Sequence, residues 1–131
     1  MSYNNSEVVY LNTSGDTTHY LANSLEVEGF ACGVIEVNGK INSSIKKTKE
    51  LYLCSDICKG VFINGIKLPI LRQIFRNSSG IIQSFNNKIW LQVMRPNISS
   101  IRLYITDENG NIISVGQNWL QCSLLFIAPT K

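Results

Sequence analysis

Residues 98–128 read I-S-S-I-R-L-Y-I-T-D-E-N-G-N-I-I-S-V-G-Q-N-W-L-Q-C-S-L-L-F-I-A, and this stretch decides the fold. Ile101, Leu103 and Ile105 alternate with Arg102, Tyr104 and Thr106, the period of a strand with one buried and one wet face. Asp107-Glu108-Asn109-Gly110-Asn111 then turns the chain, because Asn and Gly both tolerate positive φ. A brief apolar piece, 112–115, leads to a second turn at Gly116-Gln117-Asn118. The run 119–128 is apolar on both alternation sets. Leu120, Cys122, Leu124 and Phe126 form one set; Trp119, Leu125 and Ile127 form the other. A strand covered on both sides belongs in the middle of a sheet, so the chain is expected to finish in its own core, with Pro129 stopping the strand. Trp119 is a core residue in this reading, and Tyr104 a wet-face cross-strand residue.

Working outward, residues 7–12 (E-V-V-Y-L-N) form a β-branched and aromatic first strand. Thr13-Ser14-Gly15-Asp16 is turn chemistry, and residues 19–24 read as a loop or a short helical turn. Residues 30–37 (F-A-C-G-V-I-E-V) are a strand in which Gly33 marks a bulge or a close backbone approach. Asn38-Gly39 is read as a turn that pairs this strand with a short piece at Lys40-Ile41. Residues 42–50 form an exposed loop. Residues 51–57 (L-Y-L-C-S-D-I) and 61–63 are strands, the latter closed by Asn64-Gly65. Pro69 keeps residues 67–72 extended. Residues 75–80 are loop, and 81–94 hold one strand or two, 88–93 being the best part.

About eight strand-like runs at sandwich spacing, with no long stretch of helical period, predict an all-β fold. The expectation is one domain, residues 1–131, built as an eight-stranded two-sheet sandwich: a single jelly roll or another Greek key. An immunoglobulin-like sandwich is the nearest rival, but its Cys…Trp…Cys spacing is absent.

Composition narrows the function. The 131 residues suffice for one core without disulfide or metal. A net charge of +3 is too mild for a nucleic-acid footprint, and only 16% of residues are charged. A neutral polar surface suits a subunit packed against others, and equally an Asn-rich composition. The polar start, Met1-Ser2-Tyr3-Asn4-Asn5, is not a secretory leader, and no apolar run is long enough for a membrane helix. The expectation is a soluble protein made in the cytosol, with Cys32, Cys54, Cys58 and Cys122 as reduced thiols.

Catalytic patterns are missing. His19 is read as a solvated loop histidine; Asp16 is its one nearby carboxylate. Cys54-x-x-x-Cys58 has loose zinc-ligand spacing but no second pair to complete it. Glu26, Glu28 and Glu36 could line one face of a strand region, but their spacing places no carboxylate pair for acid–base work. Asp107-Glu108-Asn109-Gly110-Asn111 lacks the later ligands of a calcium loop. Lys46-Lys47-x-Lys49 has no interleaved aromatics and reads as a solvated loop. No catalytic, cofactor-binding or metal residue is therefore assigned.

Four pieces in fixed order carry a resemblance: residues 51–57 (L-Y-L-C-S-D-I), 67–72 (K-L-P-I-L-R), 100–111 (S-I-R-L-Y-I-T-D-E-N-G-N) and the apolar run 120–127. Together they resemble the minor capsid, or penton, proteins of Polinton/Maverick and adintovirus-like elements. Those carry an L-Y-(I/V)-x-(C/S)-D-I strand, a P-L-L-R element, an I-x-(I/V)-x-I-x-D-x-x-G strand-turn and an apolar closing strand. Residues 9–12 and 33–37 also fit their opening strands. The resemblance implies a non-enzymatic single jelly roll, homopentameric at virion vertices beside a double-jelly-roll major capsid protein. Two other readings stand beside it. One is a free-standing sandwich that binds a glycan or protein through its loops, with Trp90, Tyr104 and Trp119 as the aromatics to test. The other is a cupin-type enzyme, which a single histidine argues against.

Overall fold

The computed structural model describes residues 6–13, 16–39, 50–63, 65–74, 81–84, 89–113 and 120–129, all of them strand, turn or irregular. The strands in chain order are β1 (Glu7–Thr13), β2 (Asp16–Glu26), β3 (Ala31–Gly39), β4 (Leu51–Ser55), β5 (Val61–Ile63), β6 (Ile66–Leu68), β7 (Ile70–Ile74), β8 (Ile81–Ser84), β9 (Leu91–Gln92), β10 (Asn97–Thr106) and β11 (Leu120–Ile127). A first sheet has the order β1-β11-β3-β8, with β9 also pairing with β3, and a second has β2-β10-β4-β7. β5 and β6 form a separate hairpin.

The pairing is nested and antiparallel. β1 pairs with β11, β2 with β10, β3 with β8 and β9, and β4 with β7. The chain thus runs out and back as one long hairpin, with β5–β6 inserted near its far end. Two further pairings, β11 with β3 and β10 with β4, wrap that hairpin into two facing sheets. One core fills the space between them. Leu11, Cys32, Val34, Leu120, Cys122, Leu124 and Phe126 come from the first sheet, and Leu51, Leu53, Leu71, Ile101, Leu103 and Ile105 from the second. The predicted all-β sandwich is what the chain forms.

The 98–106 alternation holds: Ile101, Leu103 and Ile105 are fully buried, while Arg102 and Tyr104 lie on the other face. β11 lies between β1 and β3 and is buried along most of its length, as its two apolar sets require. The expected core residue Trp119 falls outside the described residues, as do the 42–49 loop, the 75–80 loop and the piece at Lys40-Ile41.

Four local readings need correction. Residues 19–24 belong to β2, an edge strand. Its polar composition hid it, because an edge strand with a wet face needs few apolar residues, and pairing with β10 on either side of residues 21–24, at His19, Tyr20 and Leu25, supplies the order. Asn38 and Gly39 are paired with Gln121 and Leu120 inside β3, so they make no hairpin turn. Residues 56 and 57 lie beyond the end of β4. The best part of 81–94 is only the two-residue β9, while β8 starts earlier.

Gly33 resolves to a close approach. A Cβ there would stand 3.0 Å from Cε3 and Cζ3 of the Trp90 ring. The bulge of β3 lies further on, where the pairing with β11 shifts between Ser123 and Leu124. The Asn109-Gly110 turn forms as read: Gly110 has φ 84° and its N–H donates to the Asp107 carbonyl at 3.1 Å.

Candidate functional site

The residues singled out for chemistry do not converge. His19 sits on β2, and its Nε2 contacts the carbonyl of Asn12 on β1. At the same corner the Thr13 hydroxyl donates to the Leu103 carbonyl at 3.2 Å. The His19 contact joins the edge strand β1 to the edge strand β2, and the Thr13 bond joins β1 to the interior strand β10. Asp16 turns away from it to Arg102.

Cys32, Cys54, Cys58 and Cys122 are all buried free thiols. Burial pushes Cys32, Cys58 and Cys122 up to about 12, and Cys54 to about 11. A thiolate is the reactive form, so these thiols are held unreactive in the folded chain. Among the described residues no three or more His, Cys, Asp or Glu side chains gather as a metal site. Asp107 is buried and accepts from the N–H groups of Asn109 and Asn111 at 2.9 and 3.0 Å. Its carboxylate is spent on the turn. Glu26 lines an open cleft of about 420 Å³ with Glu7, Leu25 and Phe30. Glu36 lies on β3 instead, outside that lining. Lys46, Lys47 and Lys49 lie outside the described residues.

One polar cluster was not foreseen. On the outer face of the second sheet Arg102 donates Nε and Nη2 to Asp16 at 2.9 and 2.7 Å. Its guanidinium also lies 4.3 Å from the centre of the Tyr104 ring. The hydrogen bonds from Arg102 hold Asp16 below the usual carboxylate range. Asp56 accepts from the Arg102 backbone N–H at 3.1 Å and pairs with Arg95 at 3.5 Å. Sequence placed Arg102 and Tyr104 on the wet face. It had no means to bring in Asp16, which is 86 positions away.

The other unforeseen features are apolar and exposed. On the outer face of the first sheet Val8, Leu125 and Gly33 are successive cross-strand neighbours, and the Trp90 ring lies over Gly33. Tyr10, 67% exposed, is in the next row beside Ser123 and Glu36. On the other side of the molecule the β5–β6 hairpin exposes Val61, Phe62 (71%) and Ile66. Its base is fixed by Leu68, which packs with Tyr52, Cys54 and Ile70 on the outer face of the second sheet. Large apolar side chains thus stand in the open on both sides of the sandwich. The β11 alternation hinted at the first patch through Leu125; the second had no sequence signal beyond its length. No family model matches the chain, and neither a curated protein nor a solved structure does.

Proposed function

We propose that this chain is a structural capsid-type subunit: a single jelly roll, penton-like, that assembles with copies of itself beside a larger double-jelly-roll capsid protein in a virion. The observation that carries the reading is the set of four nested strand pairs, β1–β11, β2–β10, β3–β8/β9 and β4–β7, wrapped into two sheets. Nested pairs wrapped into two sheets support a jelly-roll plan, and viral capsid subunits are one of that plan's main uses. The resemblance to Polinton/Maverick and adintovirus-like minor capsid proteins points the same way, as do the two exposed apolar patches. Function on this reading comes from surfaces that meet, with no chemical step.

Lectin-like domains also use the plan, and the Trp90 ring, held on the Gly33 backbone and 37% exposed, favours a glycan- or protein-binding module as the second reading. Stoichiometry separates the two. Light scattering across a concentration series, followed by negative-stain imaging, is expected to find closed rings, five-fold for a penton-like subunit. A strict monomer at every concentration and salt overturns the assembly reading. Glycan-array binding lost on Trp90→Ala would then establish the second.

A further inference from the structure

We propose that the β5–β6 hairpin of one copy docks on the outer face of the first sheet of a second copy, in a head-to-tail contact in which Lys67 meets Glu36. This deepens the assembly reading and rests on it.

Phe62 is the most exposed apolar residue of the hairpin, flanked by Val61 and Ile66. Lys67 is its cross-strand partner, with Nζ 5.9 Å from the Phe62 ring centre. The hairpin tip is therefore an apolar knob carrying one cation. The receiving face has the opposite character. Val8, Tyr10 and Trp90 present apolar surface around the nearly covered Leu125. Glu36 is paired in register with Ser123, which in turn faces Tyr10, so its carboxylate borders the patch. Asn38 donates to Glu36 at 2.9 Å and steadies it there. Among the described residues neither Lys67 nor Glu36 is held in an ion pair.

Placement and charge together decide the symmetry. The two patches stand on opposite faces of the sandwich, so a two-fold contact engages only one of them and brings Lys67 near Lys67 or Glu36 near Glu36. Like charges at an interface are disfavoured, whereas a head-to-tail contact sets apolar knob on apolar face and cation beside carboxylate. The hairpin base lies on the second sheet and the receiving face on the first, so each copy can give and receive at once. Repetition of such a contact closes into a ring when its rotation divides the circle. An apolar centre with charge confined to the rim is the ordinary anatomy of such interfaces.

The test is a charge swap read by sedimentation velocity at a concentration where the wild-type chain is assembled. Lys67→Glu and Glu36→Lys should each weaken assembly at least tenfold, and Phe62→Ser should do the same. The double variant Lys67→Glu/Glu36→Lys should recover wild-type assembly. Phe62 and Lys67 are exposed and Glu36 is half-buried, and an unchanged circular-dichroism spectrum and melting temperature certify each fold. Assembly that survives both single reversals and Phe62→Ser overturns this contact while leaving the assembly reading intact. Single reversals that disrupt without rescue in the double variant overturn the Lys67–Glu36 pairing and the proposal with it. A wild-type chain that never associates overturns both.

Discussion

Alkaline pH should unfold this protein early, because four thiols are buried in it. Cys32, Cys54 and Cys122 are fully inaccessible and Cys58 nearly so. Burial raises each from an ordinary value of 9.0 to about 11 or 12. The folded form therefore keeps its thiol protons where the unfolded chain has lost them. The stabilisation is complete below pH 9 and is lost as the pH climbs toward 12. Between pH 7 and pH 10 one thiol with an unfolded value of 9 costs about 1.4 kcal/mol of stability. Four such groups cost about 6 kcal/mol, which is comparable with the whole net stability of a domain this size. The assay is urea unfolding followed by far-ultraviolet circular dichroism at pH 7, 8, 9 and 10. The midpoint should hold to pH 8 and fall steeply above 9. Replacing one thiol, as in Cys122→Ala, should reduce that fall by about 1.4 kcal/mol while lowering stability at pH 7. A chromogenic disulfide reagent at pH 7.5 should find no reactive thiol in the folded chain and four in denaturant. A flat midpoint from pH 7 to 10, or rapid reaction of the native thiols, refutes the reasoning.

Three further outcomes follow from the same packing. Gly33→Val should displace the Trp90 ring, whose atoms stand 3.0 Å from the new Cβ position; Trp90 emission, read in a Trp119→Phe background, should shift to the red. Leu53→Ala should cost about 2–5 kcal/mol in chemical denaturation, because Leu53 is fully buried between the sheets. Asp16→Asn should cost less than about 1 kcal/mol despite its two short hydrogen bonds to Arg102, since both partners of that pair are well exposed. The small effect of Asp16 is present above the ordinary carboxylate range and fades as acid titrates the group, so the variant and wild-type melting curves should converge at low pH.

Much of the sandwich was legible because alternation is a local property. Ile101, Leu103 and Ile105 can be placed inside and Arg102 and Tyr104 outside with no knowledge of what they touch. The doubly apolar run at 120–127 likewise announces a central strand. β2 escaped detection because the order of an edge strand is supplied by its partner. Its residues 21–24 even bulge away from β10, four positions facing the single Ser99. Asn38-Gly39 misled for a related reason: the pair permits a turn, but ladder bonds from β11 hold it in a strand.

The candidate surfaces were less legible still. That Phe62 is exposed depends on where the β5–β6 hairpin is anchored. That Trp90 lies on Gly33 depends on β9 pairing with β3. Arg102 meets Asp16 only because β2 and β10 are neighbours. Taken alone, the amino-acid order determined an all-β chain and its closing interior strand, Cys122 included, since side-chain period and polarity act over a few residues. Tertiary structure decided the nested strand order, the corner held by His19 and the two apolar patches, because each depends on pairing between segments tens of residues apart.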